Sequence, residues 1–470
     1  MTPEPLPIVG LLALTGIVIA ISALCSGVLE RRGISLVLVF LGLGWATGPH
    51  AFGIVEFTLD SPLLQIAATV SLTMVLFSDA VSVQPGDLRR HAGLAALILG
   101  PGTLLAAGLI AVAAWWLLDL PATSAAMVGA ALASTDPVML RNVLRDPKVP
   151  EQTRHALRLE SSLNDAVLLP VILIALALAS GNGSGPLHVI GSLTNLLVIG
   201  PAAGFGIGFA LVLLLERVRS RFGVRRDYES LYALGIALTA FSVAEAIHAS
   251  GYMAAFAAGL AIAFQDIELC DCFHDYGEAT AEMALLLTFV ALGGSLIWTG
   301  LELINGPMIA FVLIALLIRP VVLLLVVPRQ QISGRDRWLL AWFGPRGLSS
   351  LLLILLPGFV ALPGSARMFA ICALVALASI VIHSFTPALL TLRTPAPPSD
   401  EPDLRISIPE LKQLVADEQK VYLIDVRSDT SWETSDTMAS GALRIRPSYV
   451  VTEARRMSLP IDAWIALYCT

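Results

Sequence analysis

The run Glu160-Ser161-Ser162-Leu163-Asn164-Asp165 gathers two carboxylates, an amide and two hydroxyls within one short segment. On a helix, residues four apart share a face, so Glu160 lies over Asn164 and Ser161 over Asp165. Their oxygens form a hard donor set, suited to a small cation that gives up its water. Next, Ala166-Val167-Leu168-Leu169-Pro170 opens a continuous apolar stretch that carries the Asp165 carboxylate into an apolar medium. An uncompensated anion is expensive there, so a proton or a cation must neutralise it before it can pass an apolar barrier. The same cost makes every ionisable side chain inside an apolar stretch informative: Asp79, Asp136, Glu160, Asp165, Glu245, Glu282, Arg319 and Arg346.

The elements that must hold these groups are membrane spans. Of 470 residues, 56% are hydrophobic and 14% charged, with a mean hydropathy of +0.80. That composition excludes a soluble enzyme. A span needs about 20 mostly apolar residues. The first 394 residues divide into about 13 such stretches, near 6–28, 33–49, 61–83, 92–118, 122–144, 156–180, 188–215, 228–248, 251–264, 279–299, 305–327, 337–359 and 366–392. Met1 to Pro7 carries no Lys or Arg, so the first stretch lacks the basic region of a secretory signal and reads as a retained helix. Lys and Arg gather in alternate loops, from Arg31 and Arg32 to Arg329, Arg335 and Arg337, whereas the opposite loops offer only Arg367. The positive-inside rule then puts the N-terminus outside and the C-terminal tail in the cytoplasm. The loop 265–278 has acidic residues and no Lys or Arg, but acidic residues carry little topological weight.

Thirteen spans can form two six-helix halves joined by the seventh, with the second half starting from the opposite side, which gives inverted repeats. Helices 5 and 12 then occupy matching positions. Both are broken by helix-terminating sequence, Ser134-Thr135-Asp136-Pro137 in one and Gly344-Pro345-Arg346-Gly347 in the other. One such break reads as a proline kink; two in matching positions favour a midplane ion site, where half-helix ends and freed carbonyls meet.

These residues resemble the monovalent cation/proton antiporters, in particular the electroneutral sodium/proton exchanger branch, over roughly residues 6–392. The matching pieces are Thr135-Asp136-Pro137, Glu160-Ser161-x-x-Asn164-Asp165, Ser250-Gly251-Tyr252 to Gly259-Leu260, Arg319-Pro320 and Gly344-Pro345-Arg346-Gly347. The resemblance implies that Asp165 is the carboxylate that carries the transported ion, with Ser161, Asp136 and the main-chain carbonyl of Thr135 completing the site and Asn164 orienting Asp165. It implies that Glu160 pairs with Arg319 as an internal brace, and that Arg346 neutralises half-helix ends or Asp136. Asp79 stands near the place where family members commonly carry a glutamate, as a shortened substitute. Asn164, where electrogenic relatives carry a second aspartate, points to one exchangeable carboxylate and one-for-one exchange. A homodimer also follows from the resemblance alone.

Other groups are read mostly as structural. Glu245 and His248 form an interfacial pair in preference to a proton relay, Glu282 either starts a helix near the headgroups or touches the ion, His383 is a packing histidine that could also tune a pH response, and Trp115 and Trp116 belong to an aromatic belt. Five scattered cysteines make no disulfide framework, and the close pair Cys270 and Cys272 is weak evidence for a metal. No cofactor and no resident metal are expected. A net charge of −7 with three lysines argues against nucleic acid.

The tail differs in kind, because residues 401–470 hold 19 of the chain's 65 charged residues. A proline-rich linker at 395–403 separates the membrane domain, 1–394, from a partial α/β domain, 404–470. The strand Leu423-Ile424-Asp425-Val426-Arg427, the Gly441-Ala442 turn and Tyr468-Cys469 resemble a rhodanese-like sulfurtransferase. In that family the matching cysteine carries a persulfide, so Cys469 is either a nucleophile, if the loop that follows it in the family is supplied, or a strand-end cysteine. The expected protein is therefore an all-α polytopic membrane protein with this small tail, an antiporter of Na⁺, or else Li⁺ or K⁺, in a bacterial inner membrane. The alternative is a membrane sensor that binds an ion without moving it and signals to the tail.

Overall fold

The computed structural model describes residues 36–49, 51–53, 58–83, 92–145, 149–180, 190–191, 193–222, 226–265, 283–294, 296–328, 334–391, 421–427, 437–445 and 464–468, with residues 16, 17, 20, 24, 411, 413, 414 and 432. Two compact units divide the chain, Met1–Pro395 and Ala396–Thr470.

The first unit is helical. In chain order come α1 (Leu36–Thr47), α2 (Pro62–Val81), α3 (Ala92–Leu118), α4 (Ala122–Ala133), α5 (Pro137–Arg145), α6 (Glu151–Ala179), α7 (Asn195–Phe222), α8 (Arg226–Ala246), α9 (Gly251–Gln265) and α10 (Met283–Gly294). After a 3₁₀ segment at Leu296–Leu303 follow α11 (Gly306–Val326), α12 (Gly334–Trp342), α13 (Leu348–Phe359) and α14 (Ser365–Thr391). Among the described residues six helices are long and apolar enough to cross a membrane, or seven if α10 and the 3₁₀ segment, bent by 48°, make one span. The predicted stretches 122–144 and 337–359 are not continuous helices. Each is two short ones on either side of an extended segment, because proline pushes the residue before it out of the helical region and has no N–H to continue the ladder. The stretch 6–28 lies almost wholly outside the described residues.

The core forms where α2, α4, α6, α13 and α14 bury apolar side chains against one another and against α10. Outer helices keep an apolar face uncovered: Ile309, Leu313, Leu317, Val321 and Leu325 run down α11 at a spacing of four, all exposed. Such a stripe suits lipid and no aqueous surface. Small residues bring helices together where lipid supplies no hydrophobic drive. Gly204 of α7 lies so close to the Ala254 backbone of α9 that a Cβ would overlap it.

The second unit holds a parallel three-stranded sheet, order β2-β1-β3, from β1 (Val421–Asp425), β2 (Leu443–Arg444) and β3 (Trp464–Tyr468). Val421 pairs with Trp464 and Asp425 with Tyr468. At the C-terminal end of β1 the Asp425 carboxylate is fully buried and accepts from Arg427 Nη2 at 2.6 Å and from the Tyr468 hydroxyl at 2.8 Å. Arg427 holds this carboxyl down at about 2, below the usual carboxylate range. Cys469 lies outside the described residues.

Candidate ion-binding site

The two extended segments meet deep in the first unit. Residues 134–136 join α4 to α5, and residues 343–347 join α12 to α13. Non-helical backbone at membrane depth is tolerated only where protein satisfies it, and here each segment serves the other. The Asp136 amide donates to the Pro345 carbonyl at 3.0 Å, and the Leu348 amide donates to Asp136 Oδ2 at 2.8 Å. Asp136 thereby caps the N-terminus of α13, where the helix dipole favours a negative charge. Arg346, 1% exposed, sends Nη1 back to the carbonyls of Ala133 (2.9 Å) and Ser134 (3.1 Å), covering the negative end of α4. Gly347 is required by this approach: a Cβ there would overlap the Asp136 carboxylate.

Against this crossing lies the middle of α6. Asp165, 0% exposed, accepts from the Ser134 hydroxyl through Oδ1 at 2.5 Å, whereas its Oδ2 has no hydrogen-bond partner of good geometry. The Ser349 side chain and the Asp136 charge also act on this carboxylate. Asn164 turns away from its neighbour: its Nδ2 donates to Thr135 Oγ1 at 2.5 Å, fastening α6 to the break, and its Oδ1 is buried without a partner. Thr135 is thus engaged through its side chain. Ser161 donates to the Arg158 carbonyl one turn back in α6 at 3.2 Å. Asp79, buried near the end of α2, belongs to a helix packed on α6.

A second charge system lies one turn before Asp165. Arg319 of α11 grips Glu160 through Nε (2.9 Å) and Nη2 (2.7 and 2.6 Å to the two carboxylate oxygens), and its Nη1 donates to the Ala341 carbonyl of α12 at 2.7 Å. Both residues are 4% exposed, so each supplies the other with the counter-charge that apolar surroundings deny. Of the two buried arginines of the first unit among the described residues, Arg319 is committed to Glu160, and Arg346 spends Nη1 on main-chain carbonyls while its Nη2 is buried without a hydrogen-bond partner. Among the described residues no cationic side chain pairs with Asp165.

Of the other groups singled out in the sequence, Glu245 and His248 are exposed at the end of α8, and Glu245 Oε1 accepts from the Gly251 amide at 2.9 Å. His383 of α14 contacts the Ser379 and Trp342 carbonyls, at 2.9 and 3.3 Å. Glu282, Cys270 and Cys272 lie outside the described residues. Sequence reasoning passed over Ser134, Ser349 and Ser379, the last of which accepts from the Arg346 amide at 2.7 Å. For Ser134 and Ser349 the available signal was a hydroxyl within or beside a proline break; Ser379, inside the continuous helix α14, offered no such signal.

Comparison with known proteins agrees with this layout. The family described as sodium/hydrogen exchanger, transmembrane, matches residues 17–392. The K(+)/H(+) antiporter NhaP2 of Shewanella sp. (strain MR-4) is 26% identical over 402 residues, spanning 83% of this chain and 68% of that protein. The Na(+)/H(+) antiporter NhaH of Halobacillus dabanensis is 26% identical over 377 residues, spanning 73% of this chain and 87% of that protein. Among solved structures, the sodium proton antiporter MjNhaP1 of Methanocaldococcus jannaschii shares the fold with a TM-score of 0.67 at 20% identity, covering 82% of this chain and 99% of that one. With crossed broken helices, a buried carboxylate beside them and four-fifths of its length matched, the chain belongs to the sodium/hydrogen exchanger transmembrane family.

Proposed function

We propose that this protein is a secondary transporter that exchanges a monovalent cation for protons at Asp165. The observation that carries the reading is a fully buried carboxylate with one oxygen lacking a hydrogen-bond partner of good geometry, with which no cationic side chain pairs among the described residues. An unpaired anion in that position resists passage through an apolar barrier, so a bound proton or a bound cation must neutralise it in turn. Only the two loaded forms cross, and the fluxes are coupled. With Asn164 beside it rather than a second carboxylate, one charge is exchanged for one, and the cycle is electroneutral. Asp136, Thr135, Ser161 and Asp79 belong to the ion's surroundings, while Glu160, Arg319 and Arg346 hold the frame.

The cation is Na⁺ or K⁺, in keeping with the names of the relatives above. Alternating access arises as two inverted six-helix repeats rock about the crossing; the matched interruptions in 122–145 and 334–359 support that arrangement. We further read thirteen spans, a homodimer, an N-terminus outside and a tail inside a bacterial inner membrane. The tail is read as rhodanese-like on the strength of its parallel sheet, with Cys469 following Tyr468 in the sequence.

The test is collapse of a preset pH gradient in everted vesicles on addition of Na⁺, K⁺ or Li⁺. Wild-type protein should collapse it, and Asp165→Asn should abolish the response. Undiminished exchange in Asp165→Asn would sink the proposal, and cation binding without flux in the wild type would favour a sensor.

A further inference from the structure

Ser134 occupies a place in this site that the exchange reading leaves unassigned. It is fully buried on the extended segment between α4 and α5, with φ −61 and ψ 140. Its main chain has little freedom to move. The Ser134 carbonyl accepts from Arg346 Nη1 at 3.1 Å and from the Ser350 hydroxyl at 3.4 Å, and the flanking Ala133 carbonyl accepts from the same Arg346 nitrogen at 2.9 Å. The adjacent Thr135 is tied to Asn164 of α6. What remains free is rotation of the hydroxyl, which has one hydrogen to donate and two lone pairs to offer. That hydrogen points at Asp165 Oδ1 at 2.5 Å, in the range of a charge-assisted bond. Asp165 Oδ2 and, on the preceding residue, Asn164 Oδ1 are both buried oxygens without a hydrogen-bond partner of good geometry. Unpartnered buried acceptors of this kind call for a cation or a donor.

Resting on the exchange reading above, we propose that Ser134 is a specificity-determining residue of the ion site. When a cation is seated on Asp165, the Ser134 hydroxyl turns its hydrogen away and presents its oxygen as a ligand. The same side chain thus stabilises the carboxylate as a donor and the cation as an acceptor. The turn is a torsion about one bond, with no proton gained or lost. Because the clamped backbone fixes where the oxygen can reach, the site matches one ionic radius better than another. An aspartate without a second ligand held at a fixed distance would distinguish Na⁺ from K⁺ poorly.

The experiment compares wild-type protein, Ser134→Ala and Ser134→Cys in proteoliposomes, reading the apparent KM and maximal rate for Na⁺, K⁺ and Tl⁺ separately at fixed pH. Loss of one ligand bond to a charged partner should raise the apparent KM of the preferred cation in Ser134→Ala by roughly tenfold or more. The maximal rate should change less, and the ratio of the Na⁺ and K⁺ values should shift. Ser134→Cys keeps the volume if the alanine variant fails to fold, and its soft sulfur should weaken Na⁺ while favouring Tl⁺ over K⁺. A fall in rate alone, with KM values and cation order intact in both variants, identifies a packing role and overturns the assignment. If wild-type protein itself fails to exchange, the exchange reading falls and the assignment with it. An active wild type with unaltered variants removes the Ser134 assignment alone.

Discussion

At the scale of the residue, the molecule separates charges by the job each can do. Glu160 and Arg319 are mutually neutralised and buried, so their pairing sets shape and carries no ion. Removing one partner strands the other in a low-dielectric interior, at a cost of roughly 3–5 kcal/mol, whereas removing both together leaves no uncompensated charge. Glu160→Leu and Arg319→Leu should therefore each lower the melting temperature in detergent more than the double variant does, a cycle that thermal unfolding of the purified protein can close. The pairing was an expectation from the family resemblance, with which the cost of leaving either charge alone in apolar surroundings agrees. The orientation of Asn164 was not. Helical spacing placed it over Glu160 and chain order put it next to Asp165, but its amide finds Thr135 on another element, and no pattern local to 160–165 encodes that choice.

At the scale of the element, the two interrupted helices form one structure. Each break supplies what the other's exposed backbone lacks, through the Asp136 amide to Pro345 and the Asp136 carboxylate to Leu348. Gly347→Ala should push the Asp136 carboxylate off its cap and reduce exchange at least tenfold, while Gly358→Ala on the same helix, where a Cβ meets open space, should keep near wild-type rates. Vesicle assays on the two variants at matched expression decide this. In the tail, Asp425 carries a different kind of prediction. Its folded-state pKa of about 2 lies below the ordinary value of 3.8, so its stabilising contribution is present above about pH 4 and fades as pH falls through 2. Limited proteolysis of the tail in the full-length protein should show a loss of protection between those pH values, and Asp425→Asn should be cleaved more readily at neutral pH.

At the scale of the whole molecule, the distribution of apolar surface is the governing fact. Outer helices show apolar stripes to the surroundings while the polar groups of the first unit turn inward, the reverse of a soluble protein. Leu317→Lys, in the middle of the α11 stripe, should cost about 2.5–3.5 kcal/mol on an insertion scale. The yield of membrane-integrated protein should then fall well below that of Leu317→Ile. Boundaries read from hydropathy lie within a few residues of the helices at 62–81, 251–265, 306–326 and 365–391. Those runs end where polar or turn-forming residues stop them, and both signals are local.

The sequence by itself therefore determined the solvent, the course of most of the described helices and the positions of both breaks. Apolar run length and proline sterics act between near neighbours and need no knowledge of the fold. Only the tertiary structure decided which groups meet at Asp165. Ser134 lies 31 residues from that carboxylate, and Arg346 lies 213 residues from the Ala133 carbonyl it covers. Those contacts exist because two breaks are packed across one another in a medium without water, where every buried polar group must find its partner within the protein.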